Sequence, residues 1–270
     1  MYKRQHSASA AGDKLVATAR GDHVDTYFGM EVPDPYRWLE DDLSKDTADW
    51  IADQNASTRS YIDAISLRDD VKNTVARLLN FVRETAPFFE GGKRYFYRNS
   101  GLQNQQVLYR IEEDGSEVVF LDPNTFSEDG TVSMSSVSFS EDGSLVAYQL
   151  SEGGSDWRSI VIRDVATGDV LESPLVDVKF SGINWLGNEG FFYSSYDKPD
   201  GSELSAKTDQ HKLYFHALGT PQSSDEVIFG ATAEQKHRYV GASVGGDDRY
   251  LVISAATVSY THLTLPTNRC

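Results

Sequence analysis

Apolar and polar residues alternate through the middle of the chain, and this period of two predicts antiparallel β-strands. The pattern is clearest from Ser133 to Leu171, where short apolar runs are separated by the turn sequences SEDG, SEGGSD and ATGD. Aspartate and glycine at such positions supply the backbone conformations that tight turns require. We therefore predict a four-stranded antiparallel meander over this stretch.

The same unit recurs on both sides of this meander. One copy runs from Phe88 to Asp122, another from Val178 to Phe229, and a further copy starts at Tyr239 and breaks off. Corresponding strands recur at intervals of roughly 45 to 60 residues, a spacing typical of β-propeller blades. The sequence thus predicts a mainly β fold, an incomplete β-propeller with about three blades and part of a fourth.

Before the blades the apolar period becomes helical. Pro35 suits a first helical turn, and a long amphipathic helix is predicted from Ser44 to Ile65. Ser66 is predicted to cap a second helix that ends near Asn80. We expect the apolar faces of these helices to need a further domain or partner, because the propeller alone is unable to cover them.

The charge of the chain argues against one class of partner. Its formal net charge is −16, and its acidic residues are scattered with no basic stripe, so nucleic acid is not an expected partner. No run of about 18 apolar residues occurs, so we expect no membrane-spanning segment. The single cysteine, Cys270, is the last residue and forms no internal disulfide, which is compatible with a reducing or an exported compartment.

Both ends depart from the repeating pattern. Residues 1–24 are interpreted as a leader that is partly artefactual, and residues 257–270 as a non-native tail. Within the leader, Ala8–Ser9–Ala10 has the form of a signal-peptidase site, although no apolar region precedes it. A disordered leader and a lost export signal both remain open.

One motif imitates a catalytic centre. Gly241 to Gly245 fits G-x-S-x-G around Ser243, and Asp247 and His262 follow in the order of an α/β-hydrolase triad. A nucleophile elbow requires a helix after the serine, whereas here a turn and another strand follow. We predict a strand and turn at this position, and no catalytic residue in this chain.

The remaining candidates for metal chemistry are weak. His211 and His216 flank a strand five residues apart and should face opposite sides, so we expect no shared metal. Together with the other histidines they are interpreted as strand and surface residues. The acidic turns lack the spacing of a calcium loop, and GGSDW lacks the features of a phosphate loop. No metal or cofactor is expected.

Several segments in one order carry a family resemblance: PDPYRWLEDD (Pro33–Asp42), YRNSGLQNQQVLY (Tyr97–Tyr109), SDW (Ser155–Trp157), and VKFSGINW (Val178–Trp185) with HKLYFHALGT. They resemble the N-terminal part of the prolyl oligopeptidase family. The resemblance implies that residues 25–80 form a helical arm belonging with a C-terminal α/β-hydrolase domain missing from this chain. It also implies that residues 81–256 form part of a seven-bladed propeller covering the active site.

The resemblance further implies a function. Members of that family are serine peptidases that hydrolyse short peptides after proline by acyl transfer, and the propeller limits substrate size. For the intact protein this implies a serine-type endopeptidase acting on proline-containing peptides, in the cytoplasm by resemblance or in the periplasm if the leader was an export signal. The fragment itself is predicted to be inactive, and poorly soluble or oligomeric because of its open strand edges.

Three residues are implied to form the substrate site. Phe180 matches the propeller aromatic that packs on the substrate residue two before the scissile proline. Asp156 matches an acidic residue that pairs with an arginine of the catalytic domain, and Val240 lies where the family often has a larger apolar side chain. Without the family, Phe180 would be interpreted as packing between blades and Asp156 as a turn residue. Trp157 is interpreted as core.

Two other functions remain open at this point. A non-enzymatic propeller could bind peptides or proteins through its loops, since propellers host many functions. A related oligopeptidase that cleaves after basic residues would differ mainly in the part not present here. The helical arm before the blades favours the peptidase, because a free-standing binding propeller has no need of it.

Overall fold

The computed structural model describes residues 16–198, 208–246 and 248–257. Seventeen β-strands and two α-helices occur among these residues, so the fold is mainly β, as predicted. The chain divides into two compact units, one reaching Leu79 and the other beginning at Asn80. Neither α-helix in the described ranges carries the long apolar stretch that crossing a bilayer requires.

The first unit opens with a two-stranded hairpin. Strand β1 (Val24–Tyr27) pairs antiparallel with β2 (Met30–Pro33). The two loop residues, Phe28 and Gly29, have φ values of 53° and 81°, as a tight turn of the primed type requires. The helical start predicted near Pro35 is only a single 3₁₀ turn, Arg37–Glu40, so the regular helix begins later than predicted.

Two α-helices follow this turn. Helix α1 spans Lys45–Asp63, and the hydroxyl of Ser44 caps it by accepting a hydrogen bond from the Thr47 N–H. Helix α2 spans Arg68–Leu79. The prediction that Ser66 caps α2 is wrong, because the first intrahelical bond runs from the Val71 N–H to the Leu67 carbonyl.

The apolar faces of both helices are exposed in this structure. The side chains concerned are at least 37% accessible, and they include Ile51, Tyr61, Ile62, Val71, Val75, Leu78 and Leu79. Exposure of several large apolar side chains at helical spacing is unusual for a protein surface.

The second unit consists of four antiparallel sheets that follow one another along the chain. The first sheet contains β3 (Arg83–Glu84), β4 (Phe88–Glu90), β5 (Lys93–Asn99), β6 (Val107–Ile111) and β7 (Glu117–Leu121). The second contains β8 (Val132–Phe139), β9 (Leu145–Glu152), β10 (Trp157–Asp164) and β11 (Leu175–Lys179). The third contains β12 (Asn184–Leu186), β13 (Gly190–Ser195), β14 (Lys212–Ala217) and β15 (Glu226–Phe229). The fourth, within the described residues, contains β16 (Tyr239–Val244) and β17 (Leu251–Ala256).

One boundary differs from the prediction. Strand β11 is the fourth strand of the second sheet and lies after Leu171. Val178 therefore belongs to the last strand of the second sheet, whereas the sequence predicted that it starts the third sheet. The ladder between β10 and the following segment is interrupted before β11. After one bridge between Arg163 and Val170, the chain leaves the ladder at Glu172, whose carboxylate binds His216 and the Gly219 N–H.

Apolar side chains join consecutive sheets face to face. One cluster, including Tyr95, Leu108 and Tyr148, lies between the first and second sheets. A second cluster, including Ile160 and Phe191, joins the second and third sheets, and a third, including Leu213 and Val240, joins the third and fourth. Sheets stacked in chain order through their apolar faces are the blades of a propeller. The described residues form three blades and part of a fourth.

Candidate functional site

Phe180 lies directly after β11 in a backbone conformation that phenylalanine seldom adopts. Its φ is 53°, and its side chain is 45% exposed. The ring meets Tyr196 edge-on at a centroid distance of 6.3 Å and Tyr239 at 5.9 Å. A left-handed residue of this kind costs roughly 1–2 kcal/mol, and such outliers concentrate at functional sites. The strained backbone therefore exposes the Phe180 ring, which packs against the rings of Tyr196 and Tyr239.

Asp156 lies beside Phe180 at the same end of the second blade. Trp157 pairs with Lys179 in the antiparallel ladder of β10 and β11, so Asp156 and Phe180 occupy the next, opposite positions. Asp156 is exposed and forms no ion pair with another residue in the described part of the chain. The structure thus brings together two of the three residues that the sequence singled out.

Lys179 adds a positive charge that sequence reasoning missed. Its ammonium group lies 4.8 Å from the centre of the Trp157 ring and 5.4 Å from that of Phe180. The residue is only 8% exposed, so these cation–π contacts are partly desolvated and each contributes on the order of 1 kcal/mol. Trp157, also 8% exposed, is core, as predicted. We call Asp156, Lys179, Phe180, Tyr196 and Tyr239 the aromatic surface.

Val240 lies near this surface but is covered. Its side chain is 3% exposed and packs with Phe192 and Leu213 in the cluster between the third and fourth blades. Its neighbour Tyr239 is the residue that contacts Phe180. A direct contact between Val240 and substrate stays a prediction, and the side chain would have to be uncovered for it to occur.

Ionisation of the tyrosine beneath Phe180 is suppressed. Burial raises the pKa of Tyr196 to about 12, so its hydroxyl stays protonated at neutral pH and donates a hydrogen bond to the Arg238 carbonyl. The aromatic surface combines the side chains of Asp156 and Lys179 with the rings of Phe180, Tyr196 and Tyr239. Aromatic faces of this kind can pack against apolar side chains.

The two strand histidines are buried, which the surface interpretation did not foresee. His211 contacts the backbones of Lys179 and Val240, whereas His216 contacts the carboxylates of Glu172 and Asp225. The two histidines therefore have separate hydrogen-bond partners. Their burial had no local signal, because it arises where blades meet.

The serine motif is a strand and a turn, as predicted. Ser243 lies in β16 opposite Val252 of β17. The Gly245 N–H donates to the Tyr250 carbonyl and the Asp248 N–H to the Gly245 carbonyl, so a tight turn follows where an elbow would need a helix. Asp247 and His262 lie outside the described residues.

Comparison with known proteins gives this architecture a family. The model of the prolyl oligopeptidase N-terminal beta-propeller domain matches residues 16–265. A prolyl endopeptidase from Elizabethkingia meningoseptica is 53% identical over 247 residues, which cover 91% of this chain and 35% of the relative. Prolyl oligopeptidase A from Amanita bisporigera is 34% identical over 268 residues, covering 87% of this chain and 35% of that protein.

Solved structures agree with these matches. Prolyl oligopeptidase B from Galerina marginata, bound to a 25mer macrocyclization substrate, superposes with a TM-score of 0.75 at 29% identity, covering 92% of this chain and 38% of that one. The chain thus spans little more than a third of the length of the proteins it matches. Because the family model matches almost every residue and the blades are present in the structure, this chain belongs to the family of prolyl oligopeptidase N-terminal β-propeller domains.

Proposed function

We propose that this chain is the N-terminal part of a serine peptidase that hydrolyses short peptides after proline. The observation that carries the proposal is the 53% identity to a prolyl endopeptidase, maintained over 91% of the chain. The aromatic surface supports it with a geometry suited to peptides. In this proposal the catalytic serine, histidine and aspartate belong to the part of the longer protein that this chain does not span.

In the proposed reaction, the catalytic part and the propeller have different roles. In the catalytic part, a histidine-activated serine attacks the carbonyl carbon of the proline residue, the oxyanion that forms is stabilised, and the amine of the next residue leaves. The propeller performs no bond chemistry. It admits peptides and excludes folded proteins, so it sets the size of the substrate.

Phe180 and Asp156 are proposed to act at the junction of the two parts. The exposed Phe180 ring would pack on the substrate residue two before the proline, losing little side-chain entropy because Tyr196 and Tyr239 already hold it. The exposed Asp156 carboxylate would pair with an arginine of the catalytic part.

The direct test is the protein encoded by the complete gene, assayed with coumarin-releasing peptides that carry proline, arginine or alanine at the cleaved position. We expect cleavage after proline, inhibited by a serine-directed phosphonate. The 270-residue chain alone should release no coumarin from the same peptides. Cleavage after arginine only would indicate the related oligopeptidase, and no cleavage at all would contradict the proposal.

A substitution at Phe180 tests the substrate contact. We expect Phe180→Ala to lower kcat/KM about tenfold for a reporter with leucine two before the proline, because the apolar contact is lost. A reporter that ends before that residue should be unaffected. Phe89→Ala is the matched control, since Phe89 is 69% exposed in the first blade. Equal losses with both reporters would contradict the assigned contact.

A further inference from the structure

The strained backbone at Phe180 is held by hydrogen bonds on both sides. The preceding carbonyl, that of Lys179, accepts a bond of 2.8 Å from Nε2 of His211. The carbonyl of Ser181, the residue after Phe180, accepts a bond of 2.9 Å from the side-chain amide of Gln149. Unfavourable backbone conformations persist only where their surroundings over-determine them. These two bonds restrain the peptide group directly before Phe180 and the peptide group that follows Ser181.

His211 and Gln149 each use both polar side-chain atoms in hydrogen bonds. Both are completely buried. The side-chain oxygen of Gln149 accepts a hydrogen bond of 3.0 Å from Arg158. Nδ1 of His211 accepts a bond of 2.8 Å from the Val240 N–H, so Nε2 must carry the proton that is donated to Lys179. A buried, fully bonded side chain is a firm support for the residue it contacts.

His211 also connects three blades at this point. It directly precedes β14 in the third blade, its Nε2 contacts the end of β11 in the second, and its Nδ1 contacts β16 in the fourth. The Tyr196 ring packs on its imidazole at a centroid distance of 4.4 Å and on Phe180 at 6.3 Å. One side chain therefore supports Phe180 through the backbone and through an aromatic neighbour.

We propose that His211 is a positioning residue of the peptide-binding surface, which holds Phe180 in its left-handed conformation and thereby aims the ring at the substrate. This inference rests on the proposed function. The side chain does not touch the peptide. Its main contribution to binding passes through the carbonyl of Lys179.

Two substitutions separate the two hydrogen bonds of His211. In His211→Gln the amide N–H group lies near the position of Nε2 and keeps the bond to Lys179. In His211→Asn the amide oxygen lies near Nδ1 and keeps the bond to Val240, while the bond to Lys179 is lost. If the Lys179 bond aims Phe180, glutamine should preserve its placement and asparagine should not.

The experiment compares two reporters in the protein encoded by the complete gene, acetyl-Leu-Gly-Pro-aminomethylcoumarin and acetyl-Gly-Pro-aminomethylcoumarin. The quantity measured is the ratio of their kcat/KM values. We expect His211→Asn to lower this ratio about fivefold, the effect of one hydrogen bond, mainly through KM of the longer reporter. We expect His211→Gln to keep it within about twofold.

A second route avoids His211. Gln149→Glu is isosteric and keeps an acceptor for Arg158, but it places a carboxylate oxygen against the Ser181 carbonyl in place of a donor. We expect the same fall in the ratio. In a Phe180→Ala background, neither Gln149→Glu nor His211→Asn should lower the ratio further, because the group they position is gone.

His216→Asn controls for general loss of stability. His216 is a buried histidine in β14, five residues after His211, with its own partners Glu172 and Asp225 and no contact with Phe180. Its substitution should lower the melting temperature and leave the ratio unchanged. An equal fall of the ratio in His216→Asn would show that His211 has only a structural role.

The outcomes for the two proposals differ. If the wild-type protein cleaves neither reporter, the proposed function fails, and the role of His211 fails with it. If the wild type cleaves both and His211→Asn and Gln149→Glu retain the wild-type ratio, only the role of His211 is overturned.

Discussion

At the scale of single residues, two glycines show how closely the first and second blades approach. Gly91 and Gly143 lie in the turns before β5 and β9, with φ values of 53° and 68°. A Cβ on Gly143 would lie 2.3 Å from the Gly91 Cα, and a Cβ on Gly91 would lie 2.5 Å from the Gly143 Cα. Each turn therefore requires glycine for two reasons: its positive φ angle and the close contact between the two blades.

Gly143→Ala should consequently be more damaging than an ordinary turn substitution. We expect a loss of more than about 3 kcal/mol in the free energy of unfolding, since a left-handed alanine costs roughly 1–2 kcal/mol before any clash. Gly92→Ala is the control, because Gly92 has φ 74° and no atom within 4 Å of the added Cβ. Urea unfolding of the two variants measures the difference. Equal losses of unfolding free energy in the two variants would show that the close contact between Gly91 and Gly143 does not contribute to stability.

At the scale of elements, a charged cluster joins the second blade to the third. Nδ1 of His216, in β14, lies 2.8 Å from Asp225, and Nε2 lies 2.7 Å from Glu172 in the loop between β10 and β11. A ring with a carboxylate at each nitrogen must donate from both, so the imidazolium is the form that fits. Burial lowers the pKa of His216, but the hydrogen bonds to Asp225 and Glu172 outweigh burial and the pKa is raised.

This cluster predicts a pH dependence with a definite sign. Because the folded-state pKa of His216 is raised, its stabilisation is complete below the unfolded value of about 6.5 and is lost as pH rises through the folded value. We expect His216→Gln to cost about 3 kcal/mol near pH 6 and less at higher pH. Urea unfolding from pH 5.5 to 9, followed by tryptophan fluorescence, measures this difference.

His211, which directly precedes β14, supplies a comparison of opposite sign. Burial lowers the pKa of His211, so its contribution is present above pH 6.5 and is lost as pH falls through the folded value. The cost of His211→Gln should therefore grow with pH, while that of His216→Gln shrinks. A cost independent of pH for His216→Gln would contradict the bridging imidazolium.

At the scale of the whole molecule, the helical unit has an apolar face that the described chain leaves exposed. Val71, Val75 and Leu78 lie on one side of α2 and are 58%, 46% and 61% exposed. The chain spans 35% of the length of the relative from Elizabethkingia meningoseptica. We propose that the remainder of the longer protein covers this face.

Val75→Lys tests that proposal. We expect it to change the helicity of the 270-residue chain very little, because the side chain is exposed there, and to lower the melting temperature of the complete protein by several degrees. Asn73→Lys adds the same charge to the opposite side of α2 and should leave both unchanged. Equal effects of the two substitutions in the complete protein would contradict docking through the apolar face.

The open blades predict the behaviour of the isolated chain. Within the described residues the fourth sheet has two strands, so β17 presents an unpaired edge, and Val252 on it is 59% exposed. We expect sedimentation velocity of the 270-residue chain to show association that increases with concentration. A monomer with one sharp, cooperative melt would contradict this expectation.

Much of the architecture followed from local pattern. Alternating apolar residues and Asp-Gly turns predicted strands such as β9 and β10, and the helical spacing of apolar residues between Ser44 and Ile65 predicted α1. The sequence placed β11 in the third sheet, whereas it belongs to the second. The ladder is interrupted where Glu172 contacts His216, and such a contact between distant residues does not change the apolar pattern of the sequence. The cap of α2 was misplaced by one residue, because the carbonyl that accepts the first helical bond is that of Leu67, the residue after Ser66.

The sequence by itself determined that the chain is built of repeated antiparallel sheets behind a helical arm, because period and turn chemistry act over a few residues. Only the tertiary structure decided what surrounds the candidate site. It placed Asp156 opposite Phe180, buried Val240, and packed the Tyr196 ring against both Phe180 and His211. These contacts join residues of three blades, and packing between distant segments has no signature in any one of them.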